Sequence, residues 1–175
     1  MTKKEIRTKM ILLRKNQQTK DRRIKNSSII EQIKKHEKFT NAKTVSIFYP
    51  MADEINLLEL LKTDKTFLFP KVIKTDMEFY VYHKNMKWTK SSFGVMEPHD
   101  EEQMYRDSID LMIVPALAIS KDRSRVGYGK GFYDRYIKNH DIKYTLGVIY
   151  DFQEVEHIET TPLDQRLDAY IKGSL

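Results

Sequence analysis

Residues 109–136, IDLMIVPALAISKDRSRVGYGKGFYDRY, run from a nearly continuous apolar segment through a glycine-rich loop into a predicted helix. The apolar segment, 109–119, is typical of a central strand that is covered on both faces. The three glycines at alternate positions from Gly127 to Gly131 permit positive φ, so successive backbone N–H groups can point toward one anion. The helix predicted over 132–139 would add the positive end of its dipole at the same place. This stretch therefore predicts a phosphate site beyond the end of a buried strand.

Helices and strands alternate on both sides of this stretch. The predicted helices cover 3–18, 21–37, 54–62 and 132–139, and the predicted strands cover 43–50, 65–72, 77–84, 109–119, 144–151 and part of 168–175. In the first helix, Ile6, Met10 and Leu13 recur at helical spacing and should face the core. We interpret the polar stretch 83–108 as loop with a little helix. The alternation predicts an α/β fold: a single-domain three-layer sandwich over residues 1–175, with a mixed, mostly parallel central sheet flanked by helices.

The composition limits the kinds of site that this chain can form. The sequence contains no cysteine, which excludes disulfides and thiolate metal ligands. Its 5 histidines show no metal-ligand spacing, so we predict no zinc site. No apolar run approaches the roughly 18 residues of a membrane span, and residues 1–10 lack the apolar core of a secretory signal. We therefore expect a cytoplasmic protein with no membrane partner.

Positive charge is concentrated near the N-terminus. Residues 1–38 hold 13 Lys and Arg against 4 Asp and Glu, a net charge of +9, whereas the whole chain carries +6, so the remainder carries −3. Such asymmetry indicates either an anionic partner or two helices with solvated outer faces. Residues 1–38 contain no aromatic side chain that could stack on a base. We therefore predict no nucleic-acid partner and keep a basic nucleic-acid-binding module only as an alternative hypothesis.

The glycine-rich loop by itself names no cofactor. The dinucleotide fingerprint needs G-x-G-x-x-G directly after a strand, whereas this loop has G-x-G-x-G well beyond MIVP. A Walker A loop needs Ser or Thr after Gly-Lys, and here Gly131 follows Lys130. An ordinary flexible turn before a helix is the alternative. Each ordered glycine loses extra backbone entropy, and this cost favours the phosphate site over the ordinary turn.

Several motifs, in order along the chain, resemble one enzyme family. The stretch 110–136 is similar to the signature of 5-formyltetrahydrofolate cyclo-ligases, also called methenyltetrahydrofolate synthetases, in which a strand ending in Val-Pro leads to R-x-G-x-G-x-G-[FY]-Y-D. Further family segments are resembled by KKEIR (3–7), YPMADEIN (49–56), FGVMEP (93–98) and PLDQRLDAYI (162–171). The chain departs from the family pattern at Ala116, Ser120 and Arg123, which lead into the loop, and at Lys71, where arginine is common.

The resemblance implies an ATP- and Mg²⁺-dependent enzyme that closes 5-formyltetrahydrofolate, with or without a polyglutamate tail, to 5,10-methenyltetrahydrofolate and releases ADP and phosphate. In the implied reaction the formyl oxygen attacks the γ-phosphate, and N10 then closes the ring as phosphate leaves. The implied ATP-binding residues are Lys3, Lys4, Arg7, Arg125, Gly127, Gly129, Lys130, Gly131, Phe132 and Tyr133, of which Arg125 and Lys130 are also catalytic. An ATP-dependent kinase or ligase that acts on another substrate is an alternative, because it would share the loop.

The same resemblance implies metal and folate contacts. Asp134 and Asp168 are the implied Mg²⁺ ligands, a number that suits an ion that takes one or two carboxylates with phosphate oxygens and water. By spacing alone, Asp134 could instead cap the helix, and Asp168 could be a solvated residue at a strand start. Glu54 is the implied folate contact, because a carboxylate can accept two hydrogen bonds from an amino-pyrimidine edge; the alternative is a surface carboxylate in a first helical turn. Tyr49 and Phe93 are implied to flank the folate, or else they belong to the core.

Overall fold

The computed structural model describes residues 1–175 and has a seven-stranded sheet at its centre. The α-helices are α1 (Lys3–Asn16), α2 (Thr19–Lys35), α3 (Glu37–Asn41) and α4 (Phe132–Asn139), and short 3₁₀ helices cover Leu58–Lys62 and Asp151–Gln153. The strands are β1 (Thr44–Ser46), β2 (Thr66–Ile73), β3 (Asp76–Val81), β4 (Trp88–Lys90), β5 (Met96–Pro98), β6 (Met104–Tyr105), β7 (Leu111–Pro115), β8 (Ala118–Ser120), β9 (Arg125–Val126), β10 (Thr145–Tyr150), β11 (Glu154–Val155) and β12 (Ala169–Gly173). None of the helices combines the length and the apolar composition needed to cross a membrane.

The central sheet is mixed and mostly parallel, as predicted. Its strand order is β12-β10-β7-β1-β2-β3-β6. Neighbouring strands run parallel from β12 to β2, and β3 and β6 add antiparallel at one edge. Every residue of β10 is buried, which agrees with a strand that is covered on both faces. The predicted α/β sandwich is confirmed.

Helices pack on both faces of the sheet. On one face, Ile29 and Ile33 of α2 and Phe39 of α3 are buried in the larger core cluster. On the other face, Tyr136 of α4 packs edge-on against Phe79 of β3, with ring centroids 4.8 Å apart. Burying one such side chain contributes about 1.5–3 kcal/mol. These two layers therefore fix the carboxyl ends of the parallel strands, from which the loops of the candidate site emerge.

The apolar segment 109–119 forms two strands where the sequence predicts one. β7 ends at Pro115, and β8 then continues in a separate three-stranded sheet with β9 and β11. The chain leaves the central sheet because its backbone finds partners in β9: Arg125 donates to the Pro115 carbonyl at 2.9 Å, and Leu117 N–H donates to Val126 at 2.7 Å. Two successive buried strands have the same apolar pattern as one long strand.

The polar stretch 83–108 contains β4, β5 and β6, so the prediction of loop with a little helix is wrong. β4 and β5 form a hairpin that packs over β2. There the Lys71 ammonium donates to the Pro98 carbonyl at 2.7 Å, and the Glu97 carboxylate accepts from Val72 N–H at 2.8 Å. The partners that order this stretch lie elsewhere in the sequence, so its local pattern does not show them.

The first helix begins at Lys3, as predicted, but it buries a different residue in its second half. Ile6 and Met10 are buried, whereas Leu13 is exposed and Arg14 is buried. Residues four apart lie on one helix face, so the stripe that starts at Ile6 and Met10 continues to Arg14. A buried cation thereby takes the place predicted for a core leucine.

Candidate active site

A cavity of about 970 Å³ lies beyond the carboxyl ends of β1 and β7. Open α/β sheets bind ligands at this edge. The lining comes from α1, the turn after β1, β2, the start of β3, the β4–β5 hairpin, the end of β7, the glycine-rich loop, α4 and the segment before β12. The predicted site residues in this lining are Lys3, Arg7, Tyr49, Glu54, Phe93, Arg125, Gly127, Gly129, Lys130, Gly131, Phe132, Tyr133 and Asp134. Groups predicted to contact the nucleotide and groups predicted to contact the folate therefore share one cavity.

The glycine-rich loop from Gly127 to Gly131 has left-handed backbone at two positions. Gly129 has φ +98° and Gly131 has φ +71°, whereas Gly127 lacks the positive φ predicted for it. A Cβ on Gly127 would instead lie 2.7 Å from Nη1 of Arg125, so this position favours glycine because of a close side chain. Nε of Arg7 donates to the Gly127 carbonyl at 2.8 Å. A side chain of α1 therefore holds the loop, while Gly129 and Gly131 permit its left-handed backbone.

The two cations of the loop differ in exposure. The Arg125 side chain is 7% exposed; Nη1 donates to Pro115, and Nη2 lies 3.8 Å from Asp134. Burial lowers the pKa of Arg125, although Asp134 and Tyr133 oppose this effect. Only Nη1 of this guanidinium makes a hydrogen bond and the residue lines the cavity, so Arg125 retains donors for an anion. Lys130 is exposed and lines the cavity, where its ammonium is free to meet an anionic ligand.

Two carboxylates line the cavity close to these cations. Asp134 accepts from Gln165 N–H at 3.1 Å, which ties α4 to the segment before β12. Asp164 forms an ion pair with Lys3 and accepts from Thr161 N–H at 2.8 Å. Burial alone would raise the pKa of Asp164, but the hydrogen bonds from Lys3 and Thr161 hold this pKa below its usual value. Asp164 is therefore anionic at neutral pH.

Two predicted site residues, Lys4 and Asp168, do not line the cavity. Lys4 is exposed on α1. The Asp168 carboxylate accepts from the N–H of Thr145, at 2.8 Å, and from its hydroxyl, at 3.2 Å. These bonds hold the start of β12 against β10. The structure therefore brings Asp164, and not Asp168, into the cavity with Asp134.

A buried carboxylate, Glu54, also lines the cavity. Glu54 is in the turn 51–54, where its Oε1 accepts from Met51 N–H at 3.0 Å. Burial raises the pKa of Glu54, and the Met51 hydrogen bond and Arg14 oppose this effect. The helix predicted over 54–62 is confirmed only in its second half, as a 3₁₀ helix. Glu54 is therefore a buried residue of a turn, and the alternative of a surface carboxylate in a helical turn is wrong.

Two aromatic side chains, Tyr49 and Phe93, line the cavity as well. Tyr49 packs against Trp88, with ring centroids 5.1 Å apart, and so is held by the protein while it lines the cavity. Phe93 is 58% exposed between β4 and β5, at the tip of the hairpin. One fixed ring and one exposed ring suit a flat ligand, because aromatic rings favour offset or edge-on contacts with each other.

The chain matches a known protein family over nearly its whole length. Residues 1–172 match the 5-formyltetrahydrofolate cyclo-ligase family. The chain belongs to this family. A 5-formyltetrahydrofolate cyclo-ligase of Mycoplasma genitalium is 33% identical over 135 residues, 74% of this chain and 72% of that protein. The mouse protein of the same name is 26% identical over 175 residues, with 86% and 84% of the two chains covered. The solution structure of Aquifex aeolicus 5,10-methenyltetrahydrofolate synthetase superposes with a TM-score of 0.84 at 29% identity, covering 98% of this chain and 90% of that one.

In this member of the cyclo-ligase family, three residues at or beside the site are not predicted from the sequence: Arg14, Tyr128 and Asp164. Arg14 could have been found from its four-residue spacing after Met10 on the buried face of α1. Tyr128 stands inside the glycine-rich loop and lines the cavity. Asp164 lies four residues before Asp168 in the same acidic motif, and only the fold shows which of the two carboxylates lines the cavity.

Proposed function

We propose that this protein acts in the cytoplasm and catalyses the ATP- and Mg²⁺-dependent cyclisation of 5-formyltetrahydrofolate to 5,10-methenyltetrahydrofolate, releasing ADP and phosphate. The observation that carries the proposal is the single cavity that joins the glycine-rich loop to Glu54 and the two aromatic rings, in a chain of the cyclo-ligase family. Its volume of about 970 Å³ lies at the upper end of the range for ligand pockets, about 300–1,000 Å³. Such a volume favours two substrates held side by side.

In the proposed reaction, phosphoryl transfer activates a poor leaving group. The formyl oxygen attacks the γ-phosphorus, a C–O–P linkage forms and ADP leaves. N10 then attacks the former formyl carbon, phosphate departs with its oxygen, and the N10 proton is lost. The protein contributes mainly positioning and charge stabilisation. Arg125 and Lys130 are the proposed catalytic cations, and Lys3 and Arg7 bind the remaining phosphate charge.

The metal site is proposed at Asp134 and Asp164. Both carboxylates line the cavity beside the loop, and no group of three or more His, Cys, Asp or Glu forms a complete cage. This donor set fits Mg²⁺, which binds through one or two carboxylates together with phosphate oxygens and water. When bound, the ion supplies positive charge to the phosphate oxygens.

The folate site is proposed around Glu54, which lines the same cavity as the glycine-rich loop. Glu54 can accept two hydrogen bonds from the amino-pyrimidine edge of the pterin, and its burial makes such charge-assisted bonds strong. Tyr49 and Phe93 would cover the flat ring. Because Phe93 is exposed at a hairpin tip, a bound folate would bury its side chain.

The test is formation of the methenyl product, followed by its near-ultraviolet absorbance. Purified protein is mixed with 5-formyltetrahydrofolate and Mg-ATP, with each component omitted in turn. The proposal requires absorbance that depends on all three components. Nucleotide binding without this product would favour a kinase or ligase for another substrate.

Glu54→Gln should weaken 5-formyltetrahydrofolate binding and leave Mg-ATP binding nearly unchanged. The amide cannot accept two bonds from a paired donor edge, and a hydrogen bond to a charged group is worth about 1.5–3 kcal/mol, so we expect at least about tenfold weaker folate binding. Isothermal titration with each ligand measures both affinities. The matched control is Glu59→Gln, an exposed residue outside the cavity. Equal losses of folate and nucleotide affinity in Glu54→Gln would contradict the assignment.

Replacing Lys3 and Arg7 together with alanine should raise the KM for ATP by about tenfold or more, because each removes a charge-assisted contact. Both side chains line the cavity, and Arg7 also supports the loop through Gly127. Steady-state kinetics measures the change. The control variant, Lys9→Ala with Lys15→Ala, removes the same charge from exposed positions of α1. Normal turnover together with lost binding to duplex DNA would support a nucleic-acid-binding module instead.

A further inference from the structure

Arg14 is a buried cation that contacts two separate parts of the candidate site. Only 4% of this residue is exposed. Its Nε donates to Asp53 at 3.1 Å, and its Nη1 lies 4.0 Å from the Glu54 carboxylate. Its Nη2 donates to the hydroxyl of Tyr128, in the middle of the glycine-rich loop. One guanidinium thus joins the turn 51–54 to the loop.

A second arginine holds this arrangement in place. Arg22 of α2 donates to the Ala52 carbonyl at 2.9 Å and to the Arg14 carbonyl at 3.2 Å. The Arg22 side chain therefore links the backbone of the turn to the backbone of α1. A displacement of the turn would strain the contacts of the Arg14 guanidinium.

On the loop side, the connection is made by the hydroxyl of Tyr128. The Tyr128 side chain is 44% exposed, and the flanking Gly127 and Gly129 restrict the backbone little. Burial of its hydroxyl end raises the pKa of Tyr128 to about 12, so the phenol is neutral at physiological pH. The hydroxyl accepts from Arg14. This hydrogen bond holds the middle of the glycine-rich loop to α1.

We propose that Arg14 is a positioning residue that couples the glycine-rich loop to the turn that carries Glu54, so that binding of nucleotide and binding of folate strengthen each other. The inference rests on the proposed function and adds a role that contact with substrate does not require, since Arg14 does not line the 970 Å³ cavity. A nucleotide that orders the loop fixes Tyr128, and through Arg14 it fixes the turn that carries Glu54. A folate that orders the turn acts on the loop by the same route, and the coupling must be equal in both directions.

The experiment measures this coupling directly by isothermal titration. The affinity for 5-formyltetrahydrofolate is measured with and without saturating Mg²⁺ and the nonhydrolysable β,γ-imido analogue of ATP. For the unmodified protein we expect at least about a fivefold gain, at the lower end of usual coupling between sites. Arg14→Met and Tyr128→Phe should each bring the ratio of the two affinities close to one. The double variant should show no further change, because the two side chains act through one contact.

The matched control is Lys25→Met. Lys25 is another buried cation, paired with Asp151 at 2.8 Å and outside the cavity, so its replacement should lower the melting temperature and keep the coupling. Tyr128→Phe removes only one oxygen from a half-exposed side chain, so this variant should fold. If Arg14→Met does not fold, Tyr128→Phe by itself tests the coupling. Coupling that survives in Tyr128→Phe would overturn the inference. Binding of both ligands to the unmodified protein without coupling would overturn it too and leave the proposed function standing, whereas failure to bind them would reject both.

Discussion

Replacement of Asp134 by asparagine is expected to lower the affinity for Mg-ATP by at least about 100-fold, because even residues that only orient a metal ligand change metal affinity by about 10- to 100-fold. The carboxylate lies in the first turn of α4, beside the glycine-rich loop, and lines the cavity. Asparagine has nearly the same shape, and its amide oxygen can still accept from Gln165 N–H. The fold should therefore be kept while one negative charge at the proposed Mg²⁺ site is lost.

Asp164→Asn should have a similar effect on Mg-ATP affinity, and Asp168→Asn is the informative comparison. The Asp168 carboxylate is engaged by Thr145, so its replacement should lower the melting temperature and leave the Mg²⁺ dependence of turnover unchanged. Titration of activity with Mg²⁺ at fixed ATP, together with thermal melts, separates the three variants. If Asp168→Asn showed the largest shift in Mg²⁺ dependence and Asp164→Asn showed none, the original assignment of Asp168 would be restored.

The residues nearest the glycine-rich loop were the easiest to predict. From Arg125 to Asp134 they are contiguous in the sequence, so their local geometry follows from glycine spacing and the start of a helix. Even here one detail was wrong, since Gly127 lacks positive φ. The reason for glycine at that position is the side chain of Arg125, which no backbone pattern can show.

The burial of Arg14 shows why the residues outside the glycine-rich loop were harder to predict from the sequence. Apolar periodicity assigns the buried face to hydrophobic residues, and it placed Leu13 in the core. A buried arginine is tolerated only where charges and hydroxyls surround it. Its partners, Asp53 and Tyr128, are 39 and 114 residues away in the sequence. The pairing therefore exists only once the fold is formed.

The two acidic residues near the C-terminus, only four residues apart, also could not be told apart from the sequence. Asp164 and Asp168 lie in one motif, and the resemblance to the family assigned the metal role to Asp168. The start of β12 turns Asp168 toward Thr145 of the neighbouring strand. Asp164 precedes the strand and reaches the cavity, where Lys3 of α1 meets it. Strand position, which four residues of sequence do not reveal, determines which of the two carboxylates lines the cavity.

Gly129→Ala is expected to reduce kcat/KM by about tenfold or more, since the loss of one charge-assisted contact with phosphate costs about 1.5–3 kcal/mol. Gly129 has φ +98°, and a Cβ there would lie 3.3 Å from the guanidinium carbon of Arg7. Adopting a left-handed backbone costs an L-residue about 1–2 kcal/mol, so the free energy of unfolding should fall only by about that amount. The larger damage is to activity, because Arg7 must move and it donates to the Gly127 carbonyl of the same loop.

The comparison that isolates this effect is Gly94→Ala. Gly94 also has positive φ, at +81°, but nothing lies within 4 Å of its Cβ position, so the same backbone strain arises without crowding the loop. The two variants should therefore lose similar stability in denaturant titrations. Only Gly129→Ala should lose affinity for the β,γ-imido analogue of ATP with Mg²⁺. If both proteins bound this analogue as tightly as the unmodified chain does, the glycine-rich loop would be an ordinary turn before α4, and the nucleotide would have to bind elsewhere in the cavity.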